Sequence, residues 1–365
     1  MTPSLIFYMK KAQAYTEFQQ LTDCMIGKSF PSSIVDQDFF PKVSEGNKRL
    51  IKDLLDETEE DYQNLEKLLN SLNVNTYRPN YSDLRYGNKQ SLAPLLMNPR
   101  DSNMTLGSKI INSFDSRHRN NPFNIPLRDK FNNINEESLR DSQGNGLGYA
   151  SIVRLGNDII VDNAEYANTP EHAKMIRDMY EDEGYRIHYL SAHDFKFKNA
   201  ISHCDAAFAI LKPGVIVTHA KEDKVNEFYK GWDVFNVDLH KTYFNNRETF
   251  LKFKSHKSAA KGGQGNVFFS FHDEKYWSDE FFHFLNDWTT EWMPYSLETC
   301  FDVNCLVVNE ENVIFSNENY ELFKFLEKRN INPHVSNFRH RYFWDGGLHC
   351  ITWDINREGS RENYL

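Results

Sequence analysis

The chain has 365 residues, of which 40% are hydrophobic, enough for one large core or for two domains. Its 42 lysines and arginines against 52 aspartates and glutamates give a net charge of −10, whereas a nucleic-acid-binding protein usually carries a basic surplus. Five cysteines without a C-x-x-C spacing argue against a zinc site, and neither a signal peptide nor a membrane-spanning stretch is visible. We therefore expect a soluble, cytoplasmic protein with neither nucleic acid nor membrane as its partner.

In chain order, the first clear element is a helix over 46–72, where leucines and isoleucines recur at helical spacing. An extended segment over 74–79 follows it. Four further units are predicted to begin with a strand or hairpin and, where complete, to continue through a helix to another strand. The first is a hairpin over 104–112, and the second is a hairpin over 152–161, a helix over 170–184 and a strand over 185–190. The third begins at 208 and has a helix near 224–230 and a strand over 232–237. The fourth begins at 306 and has a helix over 320–329 and a strand over 331–335.

Short local signals support these boundaries. Gly156-Asn157 predicts the turn of a hairpin, and Thr169-Pro170 supplies a helix N-cap and first-turn proline. Gly184 and Gly231 end their helices as left-handed caps. Repeated small units must bury their faces against neighbours, which favours a closed ring or a stack of α/β units. A doubly wound sheet is the alternative, but no Gly-x-Gly-x-x-Gly turn supports it.

The segment from about 240 to 300 interrupts this repetition. It is basic up to Lys261, continues as Gly-Gly-Gln-Gly over 262–265, and then becomes rich in aromatic residues. A phosphate-binding patch is one interpretation, but the Lys-Ser/Thr of a P-loop is absent, and charged runs normally face water. We favour an insertion with a solvated basic face, within a single domain that spans 1–365.

The segment 344–354 reads Trp-Asp-Gly-Gly-Leu-His-Cys-Ile-Thr-Trp-Asp and bears most directly on function. Its glycine pair permits a tight turn and a close approach of a ligand to the main chain. Cys350 follows the pair at a predicted junction between loop and strand. The alternative is an ordinary buried thiol, because free cysteine is among the most buried residue types.

Three more residues are predicted at strand ends from which their side chains could converge with Cys350: Asp101, His203 and Asp205. In a strand, His203 and Asp205 would point to the same face, with an exposed surface pair as the alternative. Paired carboxylates bind a planar guanidinium through parallel hydrogen bonds. A cysteine beside a cationic imidazole becomes a thiolate, and the imidazole can protonate a departing amine.

These residues stand in motifs that resemble those of the amidinotransferases, a family of the guanidine-modifying pentein superfamily. The resemblance covers nearly the whole chain, with 18–27 matching the family's opening strand and 46–79 its first helix and strand. Three motifs follow in the family's order, and the third is the most specific: Pro99-Arg100-Asp101; His203-x-Asp205; and Gly346-Gly347-x-His349-Cys350-x-Thr352 with Asp354 and Arg357.

The resemblance implies an α/β fold, a five-bladed propeller of repeated ββαβ-type units. It implies Cys350 as nucleophile, His203 as general acid and base, and Asp101 and Asp205 as the residues that bind the substrate guanidinium. The implied reaction moves the amidino group of L-arginine to a primary amine, glycine or another, through an amidino-cysteine intermediate, and releases L-ornithine. The resemblance implies no metal and no cofactor, and a homodimer is the family's habit.

The chain also departs from the family pattern. Gly148 stands where the family has an aspartate that orients the histidine, and loss of that acid in a serine-protease triad costs ~10⁴-fold in rate. Asp141 in a shifted position, a water molecule, or a loss of activity would each be consistent with this glycine. No clear counterpart exists for the basic residue that binds the arginine carboxylate, although Lys221 could substitute.

Three functions stay open at this point. The first is a transferase. In the family that the chain resembles, the residues before the histidine shape the acceptor pocket, and Ala200 and Ser202 are small here, so the acceptor need not be glycine. The second is an arginine hydrolase or deiminase that yields urea and ornithine, or citrulline. The third is a catalytically silent homologue. We favour the transferase, because a retained nucleophile and acid/base usually accompany covalent chemistry.

Overall fold

The computed structural model describes the following residues, and every structural statement below concerns them: 9–37, 40, 42–80, 97–112, 122–144, 146–162, 170–190, 204–218, 229–237, 255–257, 266–268, 274–276, 278, 280–281, 302–344 and 346–365. His203, Lys221, Ala200 and Ser202 lie outside these ranges, as do most of the predicted helix over 224–230 and most of the 240–300 insertion.

Five three-stranded sheets share one pattern, in which an antiparallel strand pair is extended by a parallel third strand. Four of them use consecutive strands: β3 (Asn103–Leu106), β4 (Lys109–Asn112) and β5 (Ile134–Ser138); β6 (Ile152–Leu155), β7 (Asp158–Asp162) and β8 (Arg186–Leu190); β9 (Phe208–Lys212), β10 (Val215–Thr218) and β11 (Asp233–Asn236); β14 (Leu306–Asn309), β15 (Asn312–Phe315) and β16 (Asn332–Val335). A separate two-stranded ladder, β12 (Ser255–Lys257) with β13 (Asn266–Phe268), lies in the insertion.

The fifth sheet joins strands from distant parts of the sequence. β1 (Gln20–Ile26) pairs antiparallel with β17 (Thr352–Glu358) and parallel with β2 (Asn75–Tyr77). Most residues of β1 and β17 are buried, as expected for a strand pair covered on both faces. This pairing brings the segment just before β17, which contains Cys350, into the interior of the protein.

The longest helix, α1 (Glu45–Ser71), confirms the helix predicted over 46–72. It begins at Ser44, whose hydroxyl accepts a hydrogen bond from the Asn47 N–H, as expected for an N-cap. Its inward face contacts two segments of the site described below. The Trp344 indole Nε1 donates to Thr58 Oγ1 over 2.8 Å, and the Tyr62 hydroxyl donates to the Met97 carbonyl over 2.9 Å.

The other helices are shorter. α3 (Pro170–Tyr180) starts at the predicted proline and continues as a 3-10 turn to Gly184, whose φ of 82° is the left-handed cap predicted there. α4 (Tyr320–Glu327) is capped by Asn319, whose side chain accepts from the Leu322 N–H over 3.1 Å. Two single-turn helices, α2 (Pro99–Ser102) and α5 (Arg341–Trp344), precede β3 and the Cys350 segment.

Hydrogen bonds and apolar contacts join neighbouring sheets. Thr105 Oγ1 of β3 donates to the Ile355 carbonyl of β17 over 2.9 Å, and Arg154 Nη1 of β6 donates to the Thr105 carbonyl over 2.8 Å. On the other side of β17, Arg357 Nη2 donates to the Val307 carbonyl of β14 over 2.8 Å. One hydrophobic cluster contains side chains of β6, β9 and β14. The inner strands therefore converge on a common region.

The α/β fold class and the hairpins predicted over 104–112 and 152–161 are confirmed. The strand predicted through His203 and Asp205 is wrong at Asp205, which lies in a 3-10 turn, Cys204–Ala206, ahead of β9. Among the described residues, no helix is both long enough and apolar enough to cross a membrane. The extent of the single domain and the nature of the insertion stay predictions.

Candidate active site

Cys350 lies in a turn that leads directly into β17, at the junction between loop and strand that the sequence predicts. The preceding Gly347 packs against Asn304, because a Cβ at position 347 would come within 2.6 Å of Asn304 Oδ1 and 2.8 Å of its carbonyl oxygen. Cys350 is only 1% exposed. Its sulfur nevertheless has polar partners, which an inert thiol in an apolar core would lack.

The first partner is Asn304, a fully buried residue just before β14. Its Nδ2 lies 3.0 Å from Cys350 Sγ. Its Oδ1 accepts hydrogen bonds from two consecutive peptide groups, the N–H of His349 over 3.0 Å and that of Cys350 over 3.1 Å. One amide therefore holds both the main chain and the sulfur of the nucleophile candidate.

The second partner is Asp205, which the 3-10 turn before β9 directs towards the same sulfur. Asp205 Oδ2 lies 3.4 Å from Cys350 Sγ and 2.8 Å from His349 Nδ1. Asp205 is 4% exposed, so its carboxylate acts in a medium where charge interactions are strong. The structure thus brings together two of the four residues assigned from sequence, Cys350 and Asp205.

His349 lies between two carboxylates. Besides the Asp205 contact, its Nε2 lies 3.4 Å from Glu17 Oε2. Burial and the charge of Arg100 act to lower the pKa of His349, but hydrogen bonds to Asp205 and Glu17 outweigh them and raise it above its usual value. The two carboxylates therefore favour the imidazolium form of His349.

A buried group of charges underlies these residues and centres on Asp354 of β17. Its carboxylate pairs with the guanidinium groups of Arg100, Arg154 and Arg357, the last over 2.7 Å. Arg154 also pairs with Glu17 over 2.6 Å. Desolvation alone would raise the pKa of Asp354, but the three guanidinium groups hold it well below its usual value.

The Pro99-Arg100-Asp101 motif forms the single turn of α2 and contacts the Cys350 segment directly. The Arg100 N–H donates to the Cys350 carbonyl over 3.3 Å, and Arg100 Nε donates to the Thr352 carbonyl over 3.1 Å. Asp101 is the next residue in this turn and is partly buried. Asp101 therefore directly follows Arg100, the residue whose main-chain N–H is hydrogen-bonded to the Cys350 carbonyl.

Gly148, which stands in place of the family's orienting aspartate, immediately precedes a 3-10 turn, Tyr149–Ser151, that leads into β6. Asp141, the suggested substitute, faces the helix α3 instead. Its Oδ2 lies 3.9 Å from His172 Nε2, and its Oδ1 accepts from the Gln143 N–H over 3.0 Å. The arrangement gives no support to Asp141 as the residue that orients His203.

Two of the three other described cysteines, Cys24 and Cys305, provide a contrast. Cys24 is fully buried in β1, with its sulfur 3.5 Å from the Met25 carbonyl. Burial raises the pKa of Cys24, and it raises the pKa of Cys305 to about 12. These two thiols fit the ordinary buried role, and Cys350 differs from them by its amide and carboxylate partners.

A small pocket adjoins Asp205 and His349. Its volume is about 20 Å³, space for about one water molecule. In the part of the chain that the structure describes, no group of three His, Cys, Asp or Glu residues is arranged to hold a metal ion. The remaining walls of the pocket are mostly apolar and comprise Glu17, Val153, Phe208, Ala209, Ile210, Val303, Cys305 and Val307.

Three residues of this site were not singled out from the sequence: Glu17, Asn304 and His349. No local sequence pattern marks Glu17 or Asn304. His349 belongs to the glycine–cysteine motif, but the sequence predicts no role for it. Its position beside Cys350 was the one signal available, because adjacent residues of a tight turn can both face one pocket.

The raised pKa of His349 predicts a dependence of stability on pH. A raised pKa in the folded state adds stability that is complete below the unfolded value, about 6.5, and is lost as pH rises through the folded value. His349→Asn should therefore lower the free energy of unfolding more at about pH 5.5 than at about pH 9, as measured by urea denaturation.

The matched control is His334→Asn. Burial lowers the pKa of His334, so the cost of removing this histidine should be smaller at the acidic pH, the opposite trend. If His349→Asn lowered the free energy of unfolding equally at both pH values, the two carboxylate contacts of His349 would not favour the imidazolium.

No protein-family model matches the chain. The chain is similar to an L-arginine:L-lysine amidinotransferase from Pseudomonas savastanoi pv. phaseolicola, with 22% identity over 223 residues. The match covers 59% of this chain and 46% of that protein. The matched part therefore spans less than half of that protein's length.

Solved structures extend the likeness to nearly the whole chain. SxtG, an amidinotransferase of saxitoxin biosynthesis from Microseira wollei, superposes with a TM-score of 0.64 at 17% identity over 98% of this chain and 100% of its own. A DDAH from Pseudomonas aeruginosa complexed with citrulline superposes with a TM-score of 0.54 at 10% identity, over 92% of this chain and 99% of its own. The chain resembles amidinotransferases in sequence and has the α/β fold of these proteins.

Proposed function

We propose that the chain is an amidinotransferase that moves the amidino group of L-arginine to a primary amine and releases L-ornithine. The observation that carries this proposal is the approach of Asp205 Oδ2 to within 3.4 Å of Cys350 Sγ. A carboxylate that binds a guanidinium beside a sulfur nucleophile would present the guanidino carbon to that sulfur. The sequence likeness to an arginine:lysine amidinotransferase supports the same reaction class.

In the first half-reaction, Asp205 and Asp101 bind the guanidinium of arginine, and the Cys350 thiolate attacks its carbon. A carbon–sulfur bond forms, and the bond from that carbon to the ornithine Nδ breaks. His203 protonates the departing nitrogen, so ornithine leaves as a neutral amine. The amidino group remains on Cys350.

In the second half-reaction, the acceptor amine attacks the same carbon. The carbon–sulfur bond breaks, the electron pair returns to sulfur as thiolate, and His203 takes a proton from the incoming nitrogen. Water in place of the amine would give urea. If ammonia leaves in place of ornithine and water then attacks the carbon, the product is citrulline. The superposition on a DDAH complexed with citrulline makes an arginine hydrolase or deiminase the second candidate.

We further propose that the five three-stranded sheets form the blades of a closed five-bladed ring. The connections support this order, because β17 contacts β3 on one side and β14 on the other, and β3 in turn contacts β6. The cluster shared by β6, β9 and β14 would close the ring.

The proposal is tested by incubating the protein with arginine labelled in its guanidino carbon and with a panel of amines that includes glycine and lysine. Mass spectrometry of the small molecules should show ornithine and a labelled guanidino compound. Intact-protein spectra should show one labelled amidino group on Cys350. Labelled urea or citrulline would favour the hydrolase, and no labelled product with any amine would contradict both functions.

Two carboxylate substitutions test the guanidinium site. Asp205→Asn should weaken arginine binding by ~100-fold, because a buried cation loses its charged partner. Asp101→Asn should weaken it by about tenfold, since Asp101 is only partly buried. Isothermal titration with arginine on a Cys350→Ala background measures both without turnover.

Asp178→Asn is the control for the change of carboxylate to amide, because Asp178 pairs with Lys174 on the surface of α3. It should leave arginine affinity unchanged. Equal affinity in the wild type and in both site variants would remove these two residues from the proposed substrate site.

A further inference from the structure

The side chain of Asn304 makes four hydrogen bonds, all within the candidate site. Its Oδ1 accepts from the peptide N–H groups of His349 and Cys350, over 3.0 and 3.1 Å. Its Nδ2 lies 3.0 Å from Cys350 Sγ and 3.4 Å from the Asp205 carbonyl oxygen. No other described side chain is bonded to both the main chain and the sulfur of Cys350.

These contacts determine which way the amide faces. Two peptide N–H groups can donate only to an acceptor, so the atom beside them must be the amide oxygen. The NH₂ group then necessarily faces Cys350 Sγ and the Asp205 carbonyl. An N–H donor aimed at sulfur interacts more strongly with a thiolate than with a thiol, because a bond to a charged acceptor is stronger.

We propose that Asn304 is a positioning residue that stabilises the thiolate of Cys350 through its amide N–H and fixes the turn that carries the sulfur. This inference deepens the proposed function, on which it rests only for the choice of Cys350 as nucleophile. Sulfur becomes the attacking atom when it is a thiolate, so a group that favours this form would govern reactivity.

The surroundings of Cys350 show why such a donor is needed. Asp205 Oδ2, at 3.4 Å from the sulfur, can accept the S–H proton and would by charge repulsion disfavour a thiolate. The Asn304 N–H acts in the opposite sense. Among the described residues, the other charged groups of the site are His349 and Glu17, Arg100 and Asp101 in the turn bonded to the Cys350 carbonyl, and the buried cluster of Asp354, Arg154 and Arg357.

Gly347 provides a second sign that this contact is built into the site. A Cβ at position 347 would lie 2.6 Å from Asn304 Oδ1 and 2.7 Å from Asn304 Cβ, distances that real side chains do not adopt. The glycine therefore permits the close approach of Asn304 to the turn. Any larger residue at position 347 would displace the amide.

The test is the pH profile of Cys350 alkylation by iodoacetamide, followed by mass spectrometry of the peptide that contains Cys350. Asn304→Asp keeps an oxygen for the two peptide N–H groups and replaces the donor with a second acceptor. The midpoint of its profile should rise by at least about one pH unit, which is about tenfold less thiolate at neutral pH. Asn304→Ala, which removes the donor without adding charge, should give a smaller rise.

Asn133→Asp is the matched control. Asn133 is another amide that accepts from one peptide N–H and donates to two carbonyls, those of Ala12 and Ser108, and it lies outside the site. This variant should leave the alkylation midpoint of Cys350 where it is in the wild type.

The outcomes separate this inference from the proposed function, because alkylation requires no arginine. A midpoint that is unchanged, or lowered, in folded Asn304→Asp or Asn304→Ala protein would overturn the inference. A raised midpoint in a protein that makes no ornithine from arginine would uphold the inference and contradict the amidinotransferase. Circular dichroism of each variant establishes that it is folded.

Discussion

Cys350→Ala is expected to abolish formation of both ornithine and the labelled amidino–protein adduct. Loss of the nucleophile in a comparable covalent mechanism costs ~10⁶-fold in kcat, because the covalent intermediate forms on that residue. Cys24 and Cys305 cannot replace it, since burial holds both as thiols. Chromatography of the products with labelled arginine provides the measurement.

The fold should survive this change, because alanine removes one sulfur from a turn that Asn304 and Arg100 hold through main-chain atoms. Cys24→Ala is the control, as it removes an equally buried thiol that lies within β1. Its turnover should match that of the wild type. Product formation by Cys350→Ala at the wild-type rate would end the assignment of the nucleophile.

The second large effect is on stability. Asp354→Asn should lower the free energy of unfolding by about 3–5 kcal/mol, because it leaves Arg100, Arg154 and Arg357 buried without their common counter-charge. This is a large part of the 5–15 kcal/mol typical of a folded protein. Urea denaturation at neutral pH measures the loss.

Asp233→Asn supplies the comparison for an exposed ion pair. Asp233 bonds Arg329 over 2.9 Å but is 60% exposed, so its loss should cost at most about 1 kcal/mol. If Asp354→Asn cost no more than Asp233→Asn, the buried charges would not depend on Asp354 as the structure indicates.

The parts of the fold predictable from sequence are those set by neighbouring residues. The apolar spacing of α1, the Gly156-Asn157 turn and the cap at Gly184 all express local preferences, and all three occur. The pairing of β1 with β17 links residues more than 300 positions apart, and no local pattern specifies it.

The residues of the site also separate into those that the sequence could predict and those that it could not. Cys350 and Asp205 were predictable because each lies in a motif, although Asp205 adopts a 3-10 turn and not the predicted strand. Asn304 and Glu17 were not predictable, because their significance lies in what distant segments place beside them. Asn304 is 46 residues from Cys350 in sequence, and Glu17 is 137 from the Arg154 with which it pairs.

Helix α1 forms hydrogen bonds with two segments of the site. Thr58 bonds Trp344 just before the glycine pair, and Tyr62 bonds Met97 just before the turn of Asp101. A shift of the helix would therefore move both segments. Because Thr58 and Trp344 bond each other directly, relatives that keep this geometry should change positions 58 and 344 in concert. The buried face of the longest helix would thus record the constraints of the site in positions that vary together.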